Sequence, residues 1–400
     1  MSVVQLAWSY LRARPLGTLL NVLLLALGVG TIGFVLIVNG QIGRSLDRDA
    51  KGIDLVVGAK GSPLQLMLAG IFHLDVPTGN IPLKAADELA RNPLVKRVIP
   101  LSIADSFGGF WIVGTTPDYI DLYHASLANG QPFSDRMQAV LGATVAARTG
   151  LGVGDRFVGS HGLAEGGPAH GDSVYTVVGV LAPSGTVLDR LALVDQQSIW
   201  FVHEGNVTDA EERKVLAQER EVTVLLVQYA SPLAAVTLPR RINAETNLQA
   251  ASPAYETARL FRMIGVGADV IRAFGGVVLA TAALSLFIGL YHALNERAYD
   301  IAVLRTLGAG PLKIALMLMV EALMLAIFGG VLGLLLAHGL AGVLSWWMAR
   351  QDSLPIDAWA FSARELWLLV PSLAAAALAA LLPSWRAARA NISATLARRA

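Results

Sequence analysis

The side chains able to do chemistry in this sequence fall into two sets. The first is histidine. Five of the seven histidines, His73, His124, His161, His170 and His203, lie between residues 41 and 253, and "GSHGLAEGGPAHGD" (159–172) places His161 and His170 near Glu165 and Asp172. Imidazole with carboxylate makes a metal site, or a sensor of metal-laden partners, the chemistry to test there. The spacing matches no standard zinc motif, and glycine-rich loops commonly carry solvated histidines, so no bound metal is expected. The second set is ionic. Glu296, Arg297, Asp300 and Arg305, followed by Gly308-Ala-Gly-Pro311, interrupt two very apolar stretches in "NERAYDIAVLRTLGAGPLKIA" (295–315). Glu321 then lies inside the second of those stretches. No Ser-His-Asp set, framed carboxylate pair or G-x-x-x-x-G-K-[ST] phosphate loop occurs, so the expectation is a non-catalytic chain with no cofactor of its own.

The elements that must position these groups are membrane helices. Of 400 residues 54% are hydrophobic and 15% charged, against roughly 25% charged in soluble domains. A net charge of +1 and the lack of any nucleic-acid motif exclude a nucleic-acid partner, and the absence of cysteine excludes disulfides and thiol chemistry. Four runs are long and apolar enough to cross a bilayer: 17–40, 273–295, one within 313–345 and one within 365–385. A cleaved signal peptide is the competing reading of the first, but its apolar region would be shorter.

Arg12 and Arg14 precede the first span, Arg297, Arg305 and Lys313 sit in the 296–315 loop, and Arg386, Arg389, Arg398 and Arg399 lie in the 386–400 tail. By the positive-inside rule these three segments, and hence both termini, face the cytoplasm. The 346–364 loop balances Arg350 and Arg364 against Asp352 and Asp357 and faces outward, with Trp346, Trp347 and Trp359 at the interface.

Residues 41–253 then form a large insertion on the outer side. "YTVVGVL" (175–181) and "EVTVLLVQY" (221–229) read as strands, "LKAADELARN" (83–92) and "VLGATVAARTG" (140–150) as helices, the latter closed by Gly150; an α+β domain results. Residues 254–272 read as a helical stalk running into the second span, with Gly265 and Gly267 a weak point. The apolar stretch 55–82 offers Leu66, Met67, Leu68 and Phe72 either as an exposed patch for a lipid or partner protein, or as interior packing. The 296–312 link reads as a short amphipathic helix with Ile301, Leu304 and Leu307 on one side and Arg297 and Asp300 one turn apart. Gly308 suits its C-terminus, and Pro311 the first turn of the next helix. An ionised Glu321 is costly inside a span, so a contact with the coupling region is expected; His292 and His338 are expected to pack with satisfied imidazoles.

The stretch "NERAYDIAVLRTLGAGPLKIALMLMVEALMLAIFGGVLGLLLA" resembles the hallmark segment of FtsX-like ABC permeases: a Glu-Arg pair, an acidic-Ile step, a Leu-Arg-x-Leu-Gly-Ala core, a later Glu and a glycine-rich helix. "LPSWRAARANISATLARR" (382–399) resembles the same family's ending. "VLGATVAARTGLGVGDRF" (140–157) and "YTVVGVLAPSGTVLDRLALVD" (175–195) are similar to the MacB-type periplasmic core domain. The resemblance implies a four-span permease of the bacterial inner membrane, forming a homodimer or pseudo-symmetric heterodimer and pairing with two copies of a separate ATPase that binds ATP and magnesium.

Residues 296–312 would be the coupling helix, with Glu296, Arg297, Asp300, Ile301, Leu304, Arg305, Leu307 and Gly308 receiving the motion of the ATPase and Arg297, Asp300 and Arg305 exposed for docking. That motion would reach the outer domain without cargo crossing the membrane. The chain differs from MacB in lacking a phosphate loop, and from the bacitracin-resistance permeases in its number of spans. Efflux with a periplasmic adaptor, lipoprotein extraction and signalling to cell-wall enzymes remain open as jobs. A membrane-anchored binding or scaffold protein without an ATPase is the alternative of another class.

Overall fold

The computed structural model describes residues 2–161, 169–204, 215–349 and 357–389, apart from the side chains of 104, 161, 169–172, 349 and 364. The chain forms two compact units, one of residues 1–42, 264–350 and 355–400, the other chiefly of 43–263.

The first unit is helical. A short helix α1 (Val3–Ala13) precedes α2 (Pro15–Asp49), and Arg14, held in a non-helical conformation before Pro15, separates them. After the mixed unit come α9 (Pro253–Glu296), α10 (Ala298–Thr306), α11 (Pro311–Ala349) and, behind a 3-10 turn at Ala363–Leu368, α12 (Leu369–Ala388). Four of the described helices are apolar and long enough to span a membrane. At 1.5 Å per residue α9 is about 66 Å long, roughly twice the hydrocarbon thickness, so it extends well beyond one leaflet. Gly265 and Gly267 do not interrupt it.

With no water to expel between apolar helices in lipid, close backbone approach supplies much of their attraction. At Gly333 of α11 an added Cβ would meet the Ala26 carbonyl and Val29 Cβ of α2 at 2.8 Å, so only glycine allows this crossing. Leu25, Val29, Leu286, Leu318, Ala322 and Ala376 lie in the resulting apolar core.

The second unit mixes strands and helices. Its strands are β1 (Leu55–Ala59), β2 (Ile81–Pro82), β3 (Val95–Phe107), β4 (Phe110–Thr115), β5 (Leu127–Gly130), β6 (Gln138–Leu141), β7 (Arg156–His161), β8 (Ala169–Leu181), β9 (Leu191–Asp195), β10 (Glu221–Val222), β11 (Val224–Tyr229) and β12 (Leu248–Ala251). Because β7 pairs with both β3 and β8, the six strands β3-β4-β9-β6-β8-β7 close on themselves as a barrel. The strands β12-β1-β11 continue from β3 as an open sheet. Strand β3 serves both structures: residues 95–101 pair with β11 and 102–107 with β4, with a register shift between Ile103 and Asp105. A bulge of this kind bends a strand from one layer into the other.

The barrel is filled by Phe110, Ile112, Leu141, Phe157, Tyr175, Val177 and Val194. Helices α4 (Lys84–Ala90) and α8 (Leu233–Glu245) bury Ala85, Ala86, Leu89, Leu238 and Ile242 against the open sheet. The remaining helices are α3 (Pro63–Gly70), α5 (Asp118–Leu122), α6 (Ala143–Thr149) and α7 (Gln196–Glu204).

One sequence expectation changes here, and one open alternative is decided. The helix expected over 140–150 begins only at Ala143, because Val140 and Leu141 are barrel strand, buried between β8 and β9. Gly142 makes the corner: a Cβ there would lie 2.1 Å from the Leu188 carbonyl. The patch at 66–72 is interior. Leu66, Met67 and Phe72 are fully buried and Leu68 is half-buried, because α3 packs its apolar side onto β1, β11 and β12.

Candidate coupling site

The ionic residues of 295–321 gather at one end of the helical unit. The short helix α1 opens with a reciprocal cap, Ser2 accepting from the Gln5 amide while the Gln5 side chain accepts from the Ser2 amide. It buries Ala7 and Leu11. At its other end the Leu11 carbonyl accepts from the Arg14 amide at 3.4 Å and from Thr18 Oγ1 at 2.8 Å.

This fixes Tyr10 against Arg297, the residue between α9 and α10. The Arg297 guanidinium carbon lies 4.0 Å from the Tyr10 ring centroid. Its Nη1 donates to Glu321 Oε2 at 3.0 Å and its Nη2 to Glu321 Oε1 at 3.4 Å. Arg297 is 6% exposed and Glu321 5%, so both charges are withdrawn from solvent. Such burial is tolerated because the fork of an arginine matches both carboxylate oxygens and the ring face covers the cation.

Arg14 also pairs with Glu296, where both side chains are well exposed and the contribution to stability is small. A small cavity of about 80 Å³ beside the buried pair is lined by Tyr10, Arg14, Thr18, Asn21, Gly289 and Glu321 among others. Asn21 Oδ1, which is buried, has no partner among the described residues.

Helix α10 carries Asp300 in its first turn, exposed, then Ile301, buried, Leu304 and Arg305, half-buried. It ends with Leu307 at the cap, 79% exposed. Gly308 takes φ +97°, so the Ala309 amide reaches back to the Leu304 carbonyl at 3.0 Å, a closure that only a left-handed residue allows. Pro311 then starts α11.

Two expectations for this segment are corrected. Arg297 is not exposed for docking, and its carboxylate partner is Glu321 rather than Asp300, because the residue that caps α10 turns its side chain toward α11. Leu307 does not share a face with Ile301 and Leu304, because the glycine turn takes it off the helix. The exposed side chains of this segment include Tyr299, Asp300, Thr306, Leu307, Leu312 and Lys313. The sequence singled out Arg14 only as a flanking charge and Tyr10 not at all, although Ser2-x-x-Gln5 is a helix-start signature for α1.

At the far end of α11, His338 is buried with a hydrogen-bonding group at each ring nitrogen: Nδ1 lies 2.7 Å from the Ala358 carbonyl and Nε2 2.8 Å from Glu365 Oε2. The Ser362 amide donates to Glu365 Oε1 at 3.0 Å, and the Gln41 side chain donates to the Asp357 carbonyl. His292 is exposed.

The mixed unit holds a separate polar network. His73, fully buried at φ +53°, lies 3.3 Å from the Tyr119 hydroxyl through Nε2. Burial, with the Arg190 charge nearby, pushes the imidazole down to about 3. Tyr123 donates to the Asp49 carbonyl at 2.6 Å, and Asp49 Oδ1 accepts from the Val187 amide at 2.9 Å.

A cleft of about 570 Å³ is lined by Trp200, His203, Glu204 and Arg220, with Arg220 stacked on Trp200 and paired with Glu204. His203 Nε2 lies 3.5 Å from Asp105, which is fully buried. Among the described residues no group of three or more His, Asp or Glu side chains could hold a metal ion. The side chains of His161 and His170 lie outside the described residues.

Comparison with known proteins decides the family. Residues 18–245 match the MacB-like periplasmic core domain, and residues 272–392 match the FtsX-like permease C-terminal. The chain belongs to the MacB/FtsX-like ABC permease family. It is a multi-pass membrane protein with an extracytoplasmic domain, and permease domains of this family are non-catalytic.

The permease is 24% identical over 370 residues to the pyoverdine export ATP-binding/permease protein PvdT of Pseudomonas fluorescens, covering 86% of this chain and 52% of that protein. It is 34% identical over 89 residues to an uncharacterised ABC transporter permease of Methanocaldococcus jannaschii, covering 20% of this chain and 22% of that one. The permease thus spans about half the length of the first relative and less of the second. The periplasmic region of MacB from Actinobacillus actinomycetemcomitans superposes with a TM-score of 0.36 at 10% identity, covering 53% of this chain and 95% of that one. The assignment rests on the two family matches. In the permease, the buried Arg297–Glu321 pair lies inside the region matched as FtsX-like.

Proposed function

We propose that this chain is the membrane subunit of an ABC transporter, with α10 as the element that receives the motion of a partner ATPase. The observation that carries the reading is the build of α10: a nine-residue helix, too short to be stable alone, is pinned at its start by the buried Arg297–Glu321 pair while Asp300, Leu307 and Leu312 stay exposed. An anchored inner face with a mixed apolar and charged outer face is what docking onto another subunit requires.

On this reading 296–312 and both termini are cytoplasmic, the mixed unit is periplasmic, and the assembly holds two permease chains and two ATPases. Cargo is handled on the outer side, without a polar path through the spans. In support, the ionisable side chains buried in the helical unit among the described residues, Arg297, Glu321, His338 and Glu365, are paired with one another at two levels of α11. PvdT is named for pyoverdine export, which favours export of a substrate over cell-wall signalling.

The test is isolation of the full chain from its own membrane and assay for a bound ATPase. An ATP-hydrolysing subunit is expected to co-purify, and a variant combining Asp300→Lys with Leu307→Asp is expected to lose it. Recovery of a chain that carries no ATPase and shows no response to ATP would sink the reading in favour of a membrane-anchored scaffold. Orientation is read separately: in this cysteine-free chain, Thr306→Cys should react with an impermeant maleimide only after the membrane is opened.

A further inference from the structure

We propose that Arg297 and Glu321, with Tyr10 laid over the guanidinium, are positioning residues that make α10 move as one body with α1 and α11. The proposal rests on the function proposed above and names the residues that would pass motion on from the docking face.

Besides this cluster, α10 buries Ile301 and Ala302 and packs Leu304 on the apolar core of the helical unit. At its C-terminal end the covalent link is the Gly308 turn, whose glycine has no heavy atom within 4 Å of where a Cβ would be. Apolar contacts are non-directional and by themselves leave a helix free to slide or pivot about such a turn. The two-pronged pair differs in kind. Two parallel hydrogen bonds from a planar guanidinium fix orientation as well as distance, which neither a lysine nor an apolar contact does.

The pair bridges residues 24 positions apart, from the start of α10 to α11, and the Tyr10 ring adds α1 as the third helix. Removing two charges from water gives little net stability, and an apolar replacement would hold the fold about as well. What the ionic cluster adds is a rigid corner at the point where α9 ends and α10 begins.

The experiment uses the absence of native cysteine. Spin labels at Ser9→Cys on α1 and Thr306→Cys on α10, both exposed positions, report the distance between the helices in the full chain, alone and bound to its ATPase trapped with ATP and vanadate. The parent background is expected to give one narrow distance that trapping leaves unchanged. Glu321→Gln is expected to give roughly a doubling of the width on the timescale that local opening allows.

The double variant Arg297→Gln with Glu321→Gln leaves no buried charge unpaired and so keeps the fold, which its elution and melting temperature verify. It too is expected to broaden, to shift on trapping, and to hydrolyse ATP without moving the mixed unit. If the double variant keeps the narrow parental distance in both states, the proposal is overturned. If no ATPase binds, the function proposed above fails instead, and the measurement on the chain alone still decides whether the pair holds α10.

Discussion

The two ends of α11 each bury a glutamate against a base, about 25 Å apart along the helix, and the bases differ. At one end Glu321 meets Arg297, whose guanidinium carries five donors, has no acceptor and does not lose its proton. At the other, Glu365 meets His338, whose ring can exchange donor for acceptor at either nitrogen. Similar burial and the same acid therefore give two different joints. The arginine end is permanently ionic and intolerant of losing its partner, whereas the histidine end can be rebuilt from neutral groups. The first suits a fixed mechanical corner, the second a clasp that closes a loop.

Glu321→Gln should produce the largest effect. It leaves the Arg297 charge buried without a counter-ion, and removal of one partner from a buried pair costs about 3–5 kcal/mol. Chemical denaturation of the full chain in detergent would show it, and a loss below about 1 kcal/mol would mean that water reaches the pair.

A buried imidazole that faces a hydroxyl, His73 beside Tyr119 in the mixed unit, sharpens the contrast. Its folded value near 3 lies below the ordinary 6.5, so the unfolded chain binds more protons between these values. Stability is accordingly full above about pH 6.5 and declines as pH falls toward 3. At pH 4.5 this loss is about 2–3 kcal/mol by the linkage of 1.36 kcal/mol per pH unit. Hydrogen exchange in β4 and α5 should follow that decline in the parent and follow it less steeply in His73→Asn, which tolerates the left-handed backbone but does not titrate there. Equal slopes in the two proteins would assign the acid sensitivity to other groups.

How far this arrangement is legible in the sequence depends on the range of the interaction. The four apolar helices are plain because each charge-free run outlasts what a soluble fold requires. The α+β character of the insertion follows from local strand and helix patterns. Closure of the barrel does not, because it depends on the pairing of β7 with β3 across about fifty residues and on a bulge near Ala104 that no turn signal marks. Similarly, an apolar run such as 64–72 reads alike whether it lines a surface or a core.

Arg297 shows the same limit within the candidate site. Helical spacing offered Asp300 as its partner, since only neighbours three or four residues away are visible in a pattern. The partner is 24 residues away, and the ring that covers the cation comes from the far N-terminal side of the chain. The family resemblance located the segment but set Arg297 outward for docking, whereas the residue is buried.

Tyr10→Leu tests the ring at the ionic end. It preserves apolar bulk on α1 and removes the quadrupole beneath the cation, an effect of about 0.5–2 kcal/mol for a desolvated pair. Measured in the Arg297→Gln with Glu321→Gln background, the same substitution should cost nearly nothing, because no cation remains for the ring to face. A cost that is equal in both backgrounds would make Tyr10 a packing residue only.

The smallest effect is expected from repeating the glutamate substitution at the histidine end. In Glu365→Gln the side-chain oxygen still accepts from the Ser362 amide, and the new NH₂ donates to His338 Nε2. A neutral ring then keeps its proton on Nδ1 and donates to the Ala358 carbonyl, so every polar group retains a partner. The expected cost is under about 1 kcal/mol, within the range for exchanging one satisfied hydrogen bond for another. Glu365→Leu, which removes the carboxylate from beside the ring nitrogen, should cost about 1–3 kcal/mol. If Glu365→Gln were as damaging as Glu321→Gln, the histidine would be a fixed cation, and both ends of α11 would be ionic joints of one kind.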